Sequence, residues 1–371
     1  MSKAYIYKVC LLGLALLGLA SCQRHSENTD RLISMSVLVE NTKAGLIEDN
    51  AGFQRQGNFG VFGYKAMNNT VDASSQLIFN NQLVENENKD TDPLQAAVWT
   101  YSPLRYWDTR KGQWYNYIAY APHNSTGGVT AQASMTRQDS GSDMYYSLTL
   151  SNIPAWQPAA TGIDYLVSEV SRATGVDYVK NYASCVDLSF NHILALIDLA
   201  AYKIEGTEFT VEKVLAGSLN DADRMVPTGT DNSYEQAVVF GGSPAALQAP
   251  QLSLGSAKGQ ASWYQEAAAD GGVEVLSSDM NNPTLICQML AFPFSTTGGL
   301  NLNITFKRGA PAAAVASEEA QDKLITSLSK LESGKHYRIV LKFEGGLVVD
   351  VHVSEVQDWI IRDRNHSLYN W

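Results

Sequence analysis

The sequence predicts an all-β protein built as two tandem antiparallel β-sandwich domains. Apolar and polar residues alternate in several short runs, glycine and asparagine punctuate those runs, and no continuous apolar strand is followed by a long amphipathic helix. Domain number follows from length. At 371 residues the chain is two to three times the commonest domain size of roughly 100 to 150 residues. With 45% hydrophobic residues, 18 Tyr, 7 Trp and 11 Phe it can bury sizeable cores, which excludes wholesale disorder and a small disulfide-stapled scaffold. Against 38 Asp and Glu stand 27 scattered Lys and Arg, a formal charge of −11, and this excludes a nucleic-acid partner, which needs clustered cations.

Taken in order, the chain opens with Lys3 and Lys8 ahead of an apolar run from Val9 to Ala20. This is the pattern of an export signal. Twelve apolar residues fall short of the about 20 needed for a helix to cross a bilayer. Leu19-Ala20-Ser21-Cys22 resembles the lipobox of bacterial lipoproteins, which implies cleavage after residue 21 and acylation of Cys22. Acyl chains contribute about 0.8 kcal/mol per buried methylene, so a multiply acylated Cys22 holds a protein at a membrane without a spanning helix. Loss of residues 1–21 removes two lysines and no acid, taking the charge from −11 to −13. An anionic bilayer repels such a chain, so attachment rests on the lipid. Residues 22–31 then form a flexible tether, polar from Gln23 to Asp30. Of the four cysteines only Cys185 and Cys287 are left for the folded part, as a disulfide or as two buried thiols.

After the tether, Ile33, Met35, Val37 and Val39 alternate with Ser34 and Ser36, a strand with one wet face. Further along, Tyr146, Leu148 and Leu150 show the same period, as do Leu300 to Phe306, Tyr337 to Phe343, and Val349, Val351 and Val353. A shift to polar residues between Ser168 and Ser184 marks a domain boundary, giving residues 32–183 and 184–371 as the two sandwiches. Leu219 to Tyr234 and Gly241 to Gly272, rich in Gly, Ala, Asp and Ser, read as long loops. Ser317 to Leu331 carries Leu324, Leu328 and Leu331 at helical spacing and reads as helix or strand.

No catalytic, metal-binding or cofactor-binding set emerges. His25, His123, His192, His336, His352 and His366 show no metal-ligand spacing and read as surface or sheet residues. Neither a G-x-S-x-G elbow nor a phosphate-binding glycine loop occurs. Asn86, Asn88, Asp90 and Asp92 alternate oxygen ligands but lack the turn glycine and closing glutamate of a calcium loop, so they read as a solvated loop. Trp99, Tyr101, Tyr106, Trp107, Trp114, Tyr115, Tyr117 and Tyr120 form a dense aromatic cluster. Such rings either stack on sugars or, at alternating strand positions, pack a sandwich core; core packing is the stronger reading.

Several stretches, in order, resemble the fimbrillin family of lipoprotein pilins from the Bacteroidales. They are Leu32 to Val39 with Gly57 to Tyr64, Trp99 to Trp107, Tyr117 to Pro122, Asp164 to Val167, Val186 to Ala195, Leu331 to Tyr337, and Val356 to Trp359. The resemblance implies two transthyretin-like sandwiches, export as an outer-membrane lipoprotein, and surface assembly with other fimbrial subunits once a trypsin-like protease removes the first strand. Losing Ile33, Met35, Val37 and Val39 at about 1.5 to 3 kcal/mol each forfeits roughly 6 to 12 kcal/mol and opens a groove that invites a neighbour's strand. Arg55, in the polar and glycine-flanked stretch Gln54-Arg55-Gln56-Gly57, is the processing-site candidate, ahead of Lys43 and Arg31. The tail from Ile360 to Trp371 is short and carries Arg362, Asp363 and Arg364, unlike a continuous apolar donor strand, which points to a tip, accessory or anchor subunit serving adhesion. Its receptor on a host or bacterial surface is not named by the sequence. The competing reading is a lipid-anchored cell-surface glycan-binding protein that uses the Trp99 to Tyr120 rings. Neither reading makes the chain an enzyme; a third, glycoside hydrolysis, would need two acids facing one cleft, and sequence spacing carries no information on such a pair.

Overall fold

The computed structural model describes residues 32–39, 50–67, 75–89, 97–108, 112–140, 143–174, 185–204, 208–238, 249–265, 272–308, 319–345 and 347–356. The signal, Cys22, the tether, Asp90, Asp92 and the Ile360 to Trp371 tail lie outside them. The first part of the chain forms β1 (Met35–Val39), α1 (Asn50–Gln56), β2 (Asn58–Met67), β3 (Gln76–Asn86), β4 (Trp99–Thr100), β5 (Gln113–Ala121), β6 (Gln132–Ser140), β7 (Asp143–Ile153), β8 (Trp156–Pro158), β9 (Leu166–Ser168) and β10 (Ser171–Thr174). Next come β11 (Val186–His192), β12 (Ala195–Lys203), β13 (Phe209–Ala216), β14 (Val226–Pro227), β15 (Asn232–Val238), β16 (Gln251–Ser253), β17 (Lys258–Gly259), β18 (Ala261–Gln265) and β19 (Val273–Glu274). The last are β20 (Thr284–Ala291), β21 (Phe294–Ser295), β22 (Leu300–Arg308), β23 (Glu319–Ile325), β24 (Lys330–Leu331), β25 (His336–Glu344) and β26 (Leu347–Val356).

These strands make an all-β protein of two sandwiches. In the first, an eight-stranded sheet in the order β1-β11-β9-β5-β2-β3-β4, with β10 beside β5, faces a four-stranded sheet in the order β16-β15-β7-β6. Phe62, Tyr64, Ile118 and Tyr120 from the larger sheet meet Tyr146, Leu148, Leu150 and Tyr234 from the smaller. In the second, β26-β25-β12-β20-β8 faces β18-β13-β22-β23, and Ile197, Leu199, Ile339 and Leu341 pack against Val211, Val214, Leu302 and Ile304. Pairing is antiparallel except for β1 with β11 and β12 with β25. Among the described residues no helix is long and apolar enough to cross a membrane.

Strand composition reports how many faces are covered. β5 lies between two apolar clusters, and from Tyr115 to Ala121 every residue is buried. β11 and β15 each have one covered face and alternate buried with more exposed positions. β23 is a strand because β22 offers it a complete edge from Leu300 opposite Ile325 to Phe306 opposite Glu319, which settles the helix-or-strand ambiguity there. Close approach also shapes the larger sheet. A Cβ built on Gly60 would stand 2.3 Å from the buried ring of Tyr120.

Three expectations need correction. Val349 does not continue the Val351 and Val353 face. The register slips between Lys342 and Phe343, pairing Lys342 with Asp350 and Phe343 with Val348, so Val348 is buried and Val349 exposed. Within the two stretches read as long loops lie β14, β16, β17, β18 and the start of β15, and Trp263 on β18 is buried. His123 is buried in a turn rather than on a surface or sheet, its Nδ1 2.6 Å from Ser125 Oγ. The expected boundary between 183 and 184 falls between β10 and β11, both in the larger sheet, while β15 and β16 from beyond it complete the smaller one.

Asp198 on β12 is buried, with His336 Nε2 at 3.0 Å, Arg338 at 3.8 Å and the Gln288 amide donating at 2.8 Å. Burial opposes its ionisation, but the His336 and Gln288 hydrogen bonds and the Arg338 charge outweigh it and hold the carboxyl below its ordinary value. The stability this provides is complete above the unfolded value of about 3.9 and is lost as pH falls through the folded one. Asp198→Asn is therefore expected to be less stable than the wild type at pH 7, and the gap should narrow below pH 4 in urea titrations. Gly60→Ala should lose about 1 to 3 kcal/mol in the same assay, since the Tyr120 ring has no room to retreat.

Candidate functional site

The leading strand closes one end of the larger sheet. β1 runs parallel to β11 with Met35 opposite Val186 and Val39 opposite Phe190. Ile33, Met35 and Val39 are buried and Val37 is half-buried, all against one cluster that includes Phe59, Val61, Val84, Tyr115, Tyr117, Leu188 and Phe190. On the wet face Ser34 Oγ donates to Cys185 Sγ at 3.4 Å and Ser36 Oγ donates to Asp187, while Leu38 is exposed. The Val186 amide donates to Ser34 O at 2.8 Å, carrying the ladder back one residue.

Upstream of β1 the chain is held from its other side by residues 101–107. Leu32 forms an antiparallel bridge with Tyr106, and the Ile33 amide donates to Arg105 O at 3.0 Å. The Tyr101 hydroxyl donates to Ile33 O at 2.5 Å and lies 3.3 Å from Arg105 O. Burial raises the Tyr101 phenol above its ordinary value, so it stays a protonated donor.

A one-helix plug lies over the strand. In α1, Phe53 is fully buried, its ring centroid 4.7 Å from Phe190, 5.7 Å from Trp99 and 6.2 Å from Phe59. Each such aromatic pair contributes about 0.5 to 1.5 kcal/mol beyond the area it buries. Gly57, at φ +81°, ends the helix in the left-handed conformation, its amide donating to Phe53 O at 3.1 Å. Asn86 ties the end down, donating from its side chain to Gln54 O at 3.1 Å and from its backbone to Gly57 O at 2.8 Å. The Asn86 carboxamide oxygen accepts the amides of Asn88 and Val98, so this residue of the alternating Asn/Asp run serves as a turn cap.

Arg55 is exposed, but the stretch read as a loop is the last turn of α1. Two residues of the site escape sequence reasoning. Phe53 is the one large apolar side chain of a polar seven-residue helix, too short to show a helical period. Tyr101 belongs to an aromatic run whose members differ in place. Trp107, Tyr115, Tyr117 and Tyr120 are buried, Trp99, Tyr101 and Trp114 are half-buried, and Tyr106 is 55% exposed. Cys287 is a free thiol and so is not bridged to Cys185; burial, with the nearby charge of Asp198, pushes it up to about 12. His192 Nδ1 lies 2.8 Å from Asp164, both buried. Among the described residues no group of three or more His, Cys, Asp or Glu could hold a metal ion.

A double β-sandwich whose leading strand lies in an apolar groove under a helical plug is the class of protein these features define. Within it, the chain belongs to the fimbrillin-like family, whose model matches residues 42–359. No curated protein matches the chain. Among solved structures it is similar to a protein from Bacteroides uniformis provisionally named for cell adhesion, with 14% identity over 89% of this chain and 98% of that one and a TM-score of 0.45. It is also similar to a protein from Bacteroides thetaiotaomicron provisionally named for polysaccharide binding, with 12% identity, 90% and 99% coverage and a TM-score of 0.38. A fimbrial protein from Bacteroides ovatus shares 12% identity over 85% of this chain and 49% of its own, with a TM-score of 0.34.

Truncating the plug tests the groove. Phe53→Ala is expected to cost about 3 to 5 kcal/mol in urea unfolding, as for a large buried aromatic, while Gln54→Ala on the same helix should fall within about 1 kcal/mol of wild type.

Proposed function

We propose that the chain is a fimbrial subunit, exported as a lipoprotein acylated on Cys22, whose segment up to Arg55 is cut away and replaced by a strand from a neighbouring subunit. The observation that carries this reading is the position of β1: it ends the larger sheet, pairs with β11 and fills an apolar groove. The family supports a fimbrial or adhesin role. Among the described residues of the segment up to Arg55 four apolar side chains are buried, Ile33, Met35, Val39 and Phe53. At about 1.5 to 3 kcal/mol each their loss forfeits roughly 6 to 12 kcal/mol, an upper value because the unfolded chain already buries some of this area. The vacated edge then has both a ladder and a pocket to offer, which is the chemistry of β-augmentation. Arg55 is exposed and directly precedes the Gln56-Gly57 end of α1, so a trypsin-like protease cutting there releases strand and plug together and spares β2.

Before cleavage the lipid on Cys22 would keep the subunit at the outer membrane; afterwards it would belong to the fimbrium, as a tip, accessory or anchor component contacting a surface receptor. No observation favours the glycan-binding alternative, since most rings of the Trp99 to Tyr120 cluster pack the core.

Limited digestion of the precursor with a trypsin-like protease, followed by N-terminal sequencing and electron microscopy, tests the reading. A new N-terminus at Gln56, abolished in Arg55→Gln, with oligomers after digestion, is the expected result. Cleavage at another site, or a cleaved protein that stays monomeric at high concentration, overturns it.

A further inference from the structure

We propose that residues 101–107 form a strap, with the Tyr101 hydroxyl as its latch, that pins the upstream end of the first strand and sets how fast it leaves the groove. The proposal rests on the reading of β1 as exchangeable and adds a control on that exchange.

The strap is anchored at both ends and open between them. The Tyr101 ring meets Phe79 edge-on at 5.2 Å, and the Trp107 ring meets Tyr115 at 4.8 Å and Tyr117 at 5.9 Å, again edge-on. Between these anchors Ser102 to Tyr106 are all exposed, Leu104 at 52% and Tyr106 at 55%, with the Gln82 amide holding Ser102 O at 3.0 Å. Their side chains already face water, so swinging the middle outward uncovers little apolar surface. Besides the Gln82 amide on Ser102 O, what resists that motion is the set of polar links to the chain before β1: the Leu32 to Tyr106 bridge, the Ile33 amide to Arg105 O, and the Tyr101 hydroxyl to Ile33 O. Tyr101 is the link that reaches both partners, lying within hydrogen-bonding distance of Ile33 O and Arg105 O.

Direction follows from where these links sit. A cut after Arg55 severs the chain at the end of α1, where the Phe53 ring and the Asn86 link to Gln54 O then hold it, and leaves Leu32 to Ser34 clasped between the strap and β11. The strand therefore peels from its Val39 end. An incoming strand starts in the aromatic site of Phe59, Trp99 and Phe190 that Phe53 vacates and advances toward the strap. Cleavage is necessary for exchange, and opening of the strap completes it.

Tyr101→Phe keeps the ring on Phe79 and removes the latch alone. In the uncleaved full-length protein, hydrogen exchange at the Ile33 amide, which donates to Arg105 O, should quicken about ten-fold, the factor a hydrogen bond at the upper end of its ordinary range contributes. After digestion, the segment ending at Arg55 should co-elute with the wild-type body and dissociate from the Tyr101→Phe body about ten-fold faster, followed by mass spectrometry of size-exclusion fractions. Leu104→Ser, an exposed change in the same strap, should alter neither rate. Equal exchange and equal dissociation in wild type and Tyr101→Phe overturn the latch. Faster release from Tyr101→Phe without subunit joining in either protein upholds the latch and instead overturns the assembly reading.

Discussion

The larger sheet depends on keeping one apolar face dry. Phe59, Phe79, Tyr115, Tyr117, Leu188 and Phe190 form a wall over which, among the described residues, no second sheet lies; β1 extends this wall at the edge beside β11, and α1 with the rings of Trp99, Tyr101 and Trp107 packs against it. The opposite face of the same sheet is covered by four strands. A surface of that size cannot be left wet in a soluble monomer, so something must lie on it. The protein meets the requirement with its own leading segment, and the chemistry asks only for an apolar strand of the right alternation. Which chain supplies it is left open by the physics, and the proposed exchange depends on that.

Much of this was legible from residue order, for reasons that can be assigned. The alternation Ile33, Met35, Val37, Val39 identifies which side of β1 is apolar, because the strand period is two and a covered face selects one parity. It does not identify a neighbour: β11 begins 151 residues beyond Met35 and runs parallel, and parity is silent about both. Central strands such as β5 and β12 conceal their period because both faces are covered, whereas β22, with Leu300, Leu302, Ile304 and Phe306, displays it. Strands of two or three residues, such as β14, β16 and β17, are too short to carry any period and read as loop. Phe53 was unreadable for a related reason, since one apolar residue in a seven-residue polar helix makes no pattern. Bulges defeat parity directly, as Val349 shows.

The two sandwiches share strands. β15 returns to pair with β7, and β16 pairs with β15, after β12 and β13 have entered the second sandwich, and β8 leaves the first half to pair with β20. Asn232 stitches the crossing, its buried amide donating to Ile153 O at 2.8 Å and accepting from Gly255 at 3.0 Å. Leu196, Leu290 and Phe292 from the second sandwich contribute to the core of the first. Neither half can therefore unfold without stripping strands from the other, and disturbance at the groove is borne by a body braced elsewhere.

Parallel pairing of β1 with β11 gives the groove a mechanical character. The chain enters β1 at Met35 and leaves β11 at His192, the opposite end of the ladder. Tension applied ahead of Leu32 and resisted beyond His192 would drag the two strands past each other along their length. The five paired positions would then share the load at once, where a hairpin pulled at its open end parts one rung at a time. Such a joint resists stretching while still yielding to sideways peeling.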